Sequence, residues 1–84
     1  MRGPNSKRNE LFIIKEILSL ERMGKSDMMY GANISYRQLK KYLPFLLEKG
    51  FLEAVNNKRN TSFRITEKGK RFLKLINNLE ELLE

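Results

Sequence analysis

The sequence predicts a small α+β domain, mostly helical, in which three helices lead into a β-hairpin and a fourth helix closes the chain. Three observations carry this. Apolar residues recur at helical spacing in three separate stretches. One short segment near residue 63 alternates apolar and polar positions and is preceded by an Asn-rich turn. Good helix caps and glycines punctuate the boundaries between them.

Asn5 and Ser6 offer N-cap side chains for the first helix. Leu11, Ile14 and Leu18 follow at spacings of three and four, and Ile13, Ile17 and Leu20 widen the stripe. The helix is expected from about Lys7 to Met23, with Gly24 as its stop, and residues 1–6 are expected as a flexible basic arm with Arg2, joined by Lys7 and Arg8. Ser26 or Asp27 can cap a short second helix reaching Ala32, and Asn33 suits a left-handed turn. Ser35 then caps a third helix, with Gln38 at capping-box spacing, and Leu39, Tyr42, Leu43 and Leu46 form its inward face. Gly50 ends it.

Pro44 falls inside this third helix, where a proline removes one hydrogen bond and crowds a carbonyl, at a cost of about 3 kcal/mol. A kink near Lys40–Leu43 is the expectation, because the apolar spacing continues to Leu47; a helix that ends at Tyr42 and restarts at Pro44 is the alternative. Leu52–Val55 reads as one strand, residues 56–60 as a polar turn, and Thr61–Ile65 as a second strand with Phe63 and Ile65 on one face. Thr66 caps the last helix, and Glu67 in its first turn suits the helix dipole. A tight helix-turn-helix followed by a basic hairpin is the plan of a winged helix-turn-helix. The whole chain, 1–84, is expected as one such domain, with residues 66–84 as a dimerisation helix.

Composition narrows the function. The 84 residues contain no cysteine and no histidine, which excludes a disulfide scaffold and the usual zinc ligand sets. The remaining carboxylates, hydroxyls and lysines form no nucleophile–base set, so the chain does not read as an enzyme; neither a cofactor nor a small-molecule substrate is expected. Apolar runs are far below the ~20 residues of a membrane helix, and the N-terminus lacks the apolar core of a secretory signal. A soluble, cytoplasmic, nucleoid-associated protein is the expectation. Net charge is +7, and it is polarised: all 17 basic residues lie within residues 1–74, whereas the last ten residues hold Glu80, Glu81 and Glu84 and no cation. Such a balance points to a polyanionic partner.

The cations fall where a winged helix would meet a duplex. Recognition helices touch the major groove chiefly with their N-terminal residues, here Tyr36, Arg37, Lys40 and Lys41. Arg37 can take guanine O6 and N7 bidentately, Lys40 and Lys41 suit phosphates, and Ser35 with the first free N–H groups can hold another. Lys58 and Arg59, flanked by asparagines, form the hairpin tip, and Arg64 extends the patch. Tyr30 and Tyr42 read as core and Tyr36 as exposed; Gly31 permits close helix packing. The competing view of each charge run is a solvated face, and that of the whole domain is a protein-interaction adaptor docking through its wing or C-terminal helix.

In the last helix Phe72, Ile76, Leu79 and Leu83 are spaced 4, 3, 4, a two-heptad seam, with Leu75 and Leu82 beside it. The competing reading packs this helix on the first helix of its own chain. The helix begins basic (Lys68, Lys70, Arg71, Lys74) and ends acidic, so an antiparallel twin would bring opposite charges together. An antiparallel homodimer is therefore expected.

The run Met29–Tyr36 resembles a segment of the small archaeal winged-helix chromatin proteins of the "ten-a" type. The stretch Phe63–Lys70 is similar to the strand-to-helix junction of that family and of many archaeal winged-helix regulators, and the likeness spans roughly residues 8–84. It implies double-stranded DNA binding, architectural or regulatory, with Ser35–Lys41 facing the groove, Lys58 and Arg59 at the wing tip, and an antiparallel coiled coil of C-terminal helices. Pro44 and the shorter C-terminal helix depart from the family pattern.

Overall fold

The elements run in the order α1 (Pro4–Leu18), α2 (Lys25–Ala32), α3 (Tyr36–Glu48), β1 (Leu52–Asn56), β2 (Thr61–Ile65) and α4 (Glu67–Leu83) in a computed structural model. The structure describes residues 4–56 and 59–83, with side chains from Glu10 onward. This is the winged-helix arrangement, mostly helical with one two-stranded antiparallel sheet.

The local signals act as expected around α3. Asn33 adopts φ 55° and ψ 54°, the left-handed conformation that ends α2 and turns the chain. Gln38 N–H donates to Ser35 Oγ at 3.2 Å, while Ser35 N–H donates to Gln38 Oε1 at 3.0 Å, so two otherwise free donors are satisfied reciprocally. Leu39, Tyr42, Leu43 and Leu46 are buried, and Gly50 leaves the helix at φ +80°. α3 runs unbroken through Pro44, which overturns the two-helix alternative. The proline sits on the exposed side, opposite the buried leucines, so its ring faces solvent and the core packing that holds α3 is untouched.

Four boundaries differ from expectation: the start and end of α1, the cap of α2, which is Gly24 and neither Ser26 nor Asp27, and the end of β1, which reaches Asn56. Pro4–Ser6, expected in the basic arm, belong to α1; Met1–Gly3 lie outside the described residues. α1 stops at Leu18, well before Met23: Ser19 Oγ donates to Lys15 C=O at 2.7 Å, and Leu20 N–H bonds Ile17 C=O at 3.2 Å, a tightened last turn. Gly24 does not end α1 but is the N-cap of α2, where Asp27 Oδ2 accepts its N–H at 2.9 Å. Beyond the end of α1, Met23 joins the core and the wing. Its side chain is buried, and its carbonyl accepts Phe63 N–H at 3.1 Å, which fastens the α1–α2 loop to β2.

Leu52 pairs with Ile65, Ala54 with Phe63 and Asn56 with Thr61. Phe63 therefore points into the core while Arg64 faces solvent. Ile17, Met28, Leu39, Leu46 and Leu52 are fully buried and draw α1, α2, α3 and β1 onto one centre. α4 is locked to the end of α3. Thr66 Oγ1 accepts Gly69 N–H at 2.9 Å and itself donates to Gly50 C=O, Thr66 N–H donates to Phe51 C=O at 3.0 Å, and the Phe51 and Phe72 rings stack with centroids 4.4 Å apart.

Candidate nucleic-acid interface

The outward face of α3 is set by its inward one. With Leu39, Tyr42, Leu43 and Leu46 in the core, helical spacing turns Arg37, Lys40, Lys41 and Pro44 to the exposed side. The mouth of the helix is open: Ser35, Tyr36 and Arg37 are all exposed, Tyr36 at 55%. Lys40 Nζ stands 5.6 Å from the Tyr36 ring centroid. Lys41 turns the other way, toward α1, where its Nζ lies 3.3 Å from Glu10 Oε2. The two neighbouring lysines thus serve different sides of the helix.

The hairpin brings Arg59 to the cleft between the wing and the α1–α2 loop, where Arg22 and Lys25 also line the wall. Lys25 lines a second groove as well, beside Tyr36, Lys40 and Pro44. One lysine therefore joins the mouth of α3 to the base of the wing. Lys58 lies outside the described residues. Arg64 is exposed but tied across the strands, its Nε 2.7 Å from Glu53 Oε2, so much of its charge is already countered. Arg22 and Lys25 escaped the sequence reading. No local signal marked them: with Ser26 or Asp27 expected as the cap, Lys25 fell outside the second helix, and only the structure makes it the first residue of α2.

Two tyrosines follow expectation and one does not. Tyr42 is buried and Tyr36 exposed, but Tyr30 is 88% exposed and not part of the core. In α2 the inward residues are Met28 and Ala32; Tyr30 is two positions from each and so points to the opposite side of the helix. Gly31 does allow close packing, against Leu20.

The seam expected on α4 is split. Ile76 is buried and Phe72 is stacked on Phe51, so both serve the chain's own core. The exposed stripe consists of Leu75, Leu79, Leu82 and Leu83. Leu79 and Leu83 of the expected set are thus available on the surface, and Phe72 and Ile76 are not. No helix among the described residues is long and apolar enough to cross a membrane.

A family model described as winged helix-turn-helix matches residues 7–84. The chain belongs to the winged helix-turn-helix family. An uncharacterized protein of Methanocaldococcus jannaschii, MJ0287, is 37% identical over 86 aligned positions, covering 99% of this chain and 81% of that protein. Among solved structures, the winged-helix chain is similar to Sso10a-2, a DNA-binding protein from Sulfolobus solfataricus, with a TM-score of 0.79, 30% identity, and coverage of 86% of this chain and 78% of that one. It also resembles SSV1 F-93 in fold, with a TM-score of 0.68 at 20% identity over 89% of this chain and 88% of that one. The likeness to Sso10a-2 agrees with the ten-a resemblance carried by Met29–Tyr36 and Phe63–Lys70.

Proposed function

We propose that this winged-helix protein binds double-stranded DNA as a binding module and not as an enzyme. The observation that carries the reading is the shared position of Lys25, beside Tyr36 and Lys40 in one groove and beside Arg59 in the next. Cations of the recognition helix and of the wing can then meet one duplex together. The description of Sso10a-2 as a DNA-binding protein supports the same reading. In it, α3 enters the major groove with Arg37 reading a base edge and Lys40 on phosphate, while Ser35 and Tyr36 steady the helix mouth. Arg59 and Lys58 follow the backbone at the wing, and Lys41 and Arg64 contribute only when they leave Glu10 and Glu53.

The exposed leucines of α4 support a homodimer as the second part of the reading. Leu75, Leu79 and Leu82 repeat at spacings of four and three, the seam of a short coiled coil. A dimer would carry two DNA surfaces, suited either to an architectural role in the nucleoid or to a transcription regulator on a two-fold site.

The test is a titration of labelled duplex across a salt series, with the mass of the complex measured alongside. The expected outcome is a steep fall of affinity with salt, each neutralised phosphate adding about 0.9 to the slope of log K on log salt. The variant carrying Arg37→Ala and Arg59→Ala should lose most of that affinity. Duplex binding that survives intact in this variant would reject the proposed surface. Comparison of random and promoter-like duplexes separates the architectural from the regulatory role.

A further inference from the structure

We infer that the cleft between the α1–α2 loop and the wing is a seat for one strand of the phosphate backbone, gripped by Arg22, Lys25 and Arg59. The inference rests on the duplex-binding reading above and adds a site to it.

Three cations reach this cleft from three separate parts of the chain: the loop after α1, the first residue of α2, and the hairpin. All three are exposed. None is paired with a carboxylate among the described residues, whereas Lys41, Arg64 and Lys70 each face one within 3.4 Å. Two acids line the same cleft, Glu21 and Asp27. Asp27 accepts the Gly24 N–H at 2.9 Å but keeps its charge, so the cleft sets three cations against two carboxylates among the described residues.

Phe63 N–H donates to Met23 C=O at 3.1 Å, and both side chains are buried, so the loop is joined to β2 at the floor of the cleft. Small hydroxyl residues, Ser26, Thr61 and Ser62, line it and leave it open. The three cations come from separate segments around the cleft and not from one point. They form a track, and Lys25 continues it into the groove beside Tyr36 and Lys40. A continuous polyanion is the ligand that a continuous track fits, and backbone contacts of this kind position a protein on DNA without reading sequence.

The test uses the full chain with Arg22→Ala and Lys25→Ala combined, and separately Glu21→Gln. Duplex affinity and its salt slope are measured on two unrelated sequences. The double variant should bind both sequences about three- to tenfold more weakly, with the slope reduced by about 0.9 for each phosphate that is no longer neutralised. Its ratio of affinities between the two sequences should stay unchanged. Glu21→Gln should shift affinity the opposite way, and it removes no cation, so it tests the cleft even if the double variant folds poorly. Wild-type affinity and slope in the double variant, with binding still sensitive to Arg37→Ala, would overturn the cleft and leave the DNA reading standing. Absence of duplex binding by the unaltered protein would overturn both.

Discussion

Lys15 Nζ lies 2.6 Å from Glu80 Oε1, joining the last turn of α1 to the last turn of α4 within one chain. The pair is half-exposed. Exposed and half-exposed ion pairs contribute about 0–1 kcal/mol and weaken with salt. Glu80→Gln is therefore expected to lower unfolding stability by less than about 1 kcal/mol, seen as a small shift of the denaturant midpoint that shrinks in high salt. Self-association should be unchanged, because the charge is spent inside the chain.

The exposed leucines of α4 give the opposite pattern. Leu79→Glu combined with Leu82→Glu removes apolar surface that the chain's own core does not use. Secondary structure by circular dichroism should be retained, while sedimentation should move from dimer to monomer. Ile76→Ala acts on the core instead and should cost about 2–5 kcal/mol. If the unaltered protein sediments as a monomer at high micromolar concentration, the dimer reading fails.

Two glycines should respond differently to the same substitution. A Cβ on Gly69 would strike the Phe51 carbonyl oxygen and the Ile65 side chain, 2.7 Å away. The backbone there is held by the Thr66 bonds to Phe51 and Gly50. Alanine gains about 1 kcal/mol over glycine in a helix, but overpacking against fixed backbone costs about 1–3 kcal/mol. Gly69→Ala should thus lower the melting temperature. A Cβ on Gly31 meets only the end of the Leu20 side chain, which is half-exposed and can rotate. Gly31→Ala should leave the melting temperature within a few degrees of the parent.

Glu10 restrains Lys41. With both side chains more than half exposed, the 3.3 Å pair is weak and open to exchange for a phosphate. Glu10→Gln should raise duplex affinity about two- to threefold at low salt and steepen the salt slope, because a freed cation can release one more counterion. Lys41→Ala should abolish this gain. An unchanged slope in Glu10→Gln would place Lys41 outside the contact surface.

Ser35 with Gln38, Asn33, Gly50, Thr66 and the strand alternation around Phe63 were legible in the sequence because each acts on neighbours a few residues away. Caps, left-handed turns and period-two strands are short-range devices, and they defined α3 and the wing. The face of Tyr30 was harder to read, since eight residues of α2 give too few turns to define a stripe. Met23, beyond the end of α1, bonds Phe63, far along the chain, and no local signal announces that bond.

Taken alone, the sequence determined the order of elements, the basic character of the α3 mouth, and the inward set Leu39, Tyr42, Leu43 and Leu46. Tertiary structure decided which cations meet. It set Lys25 between Tyr36 and Arg59, tied Lys41 to Glu10, and took Phe72 and Ile76 into the core while leaving Leu75 and Leu82 outside. The reason is physical. Periodicity assigns a residue to a face of its own helix, but what that face meets depends on contacts between segments far apart in the chain.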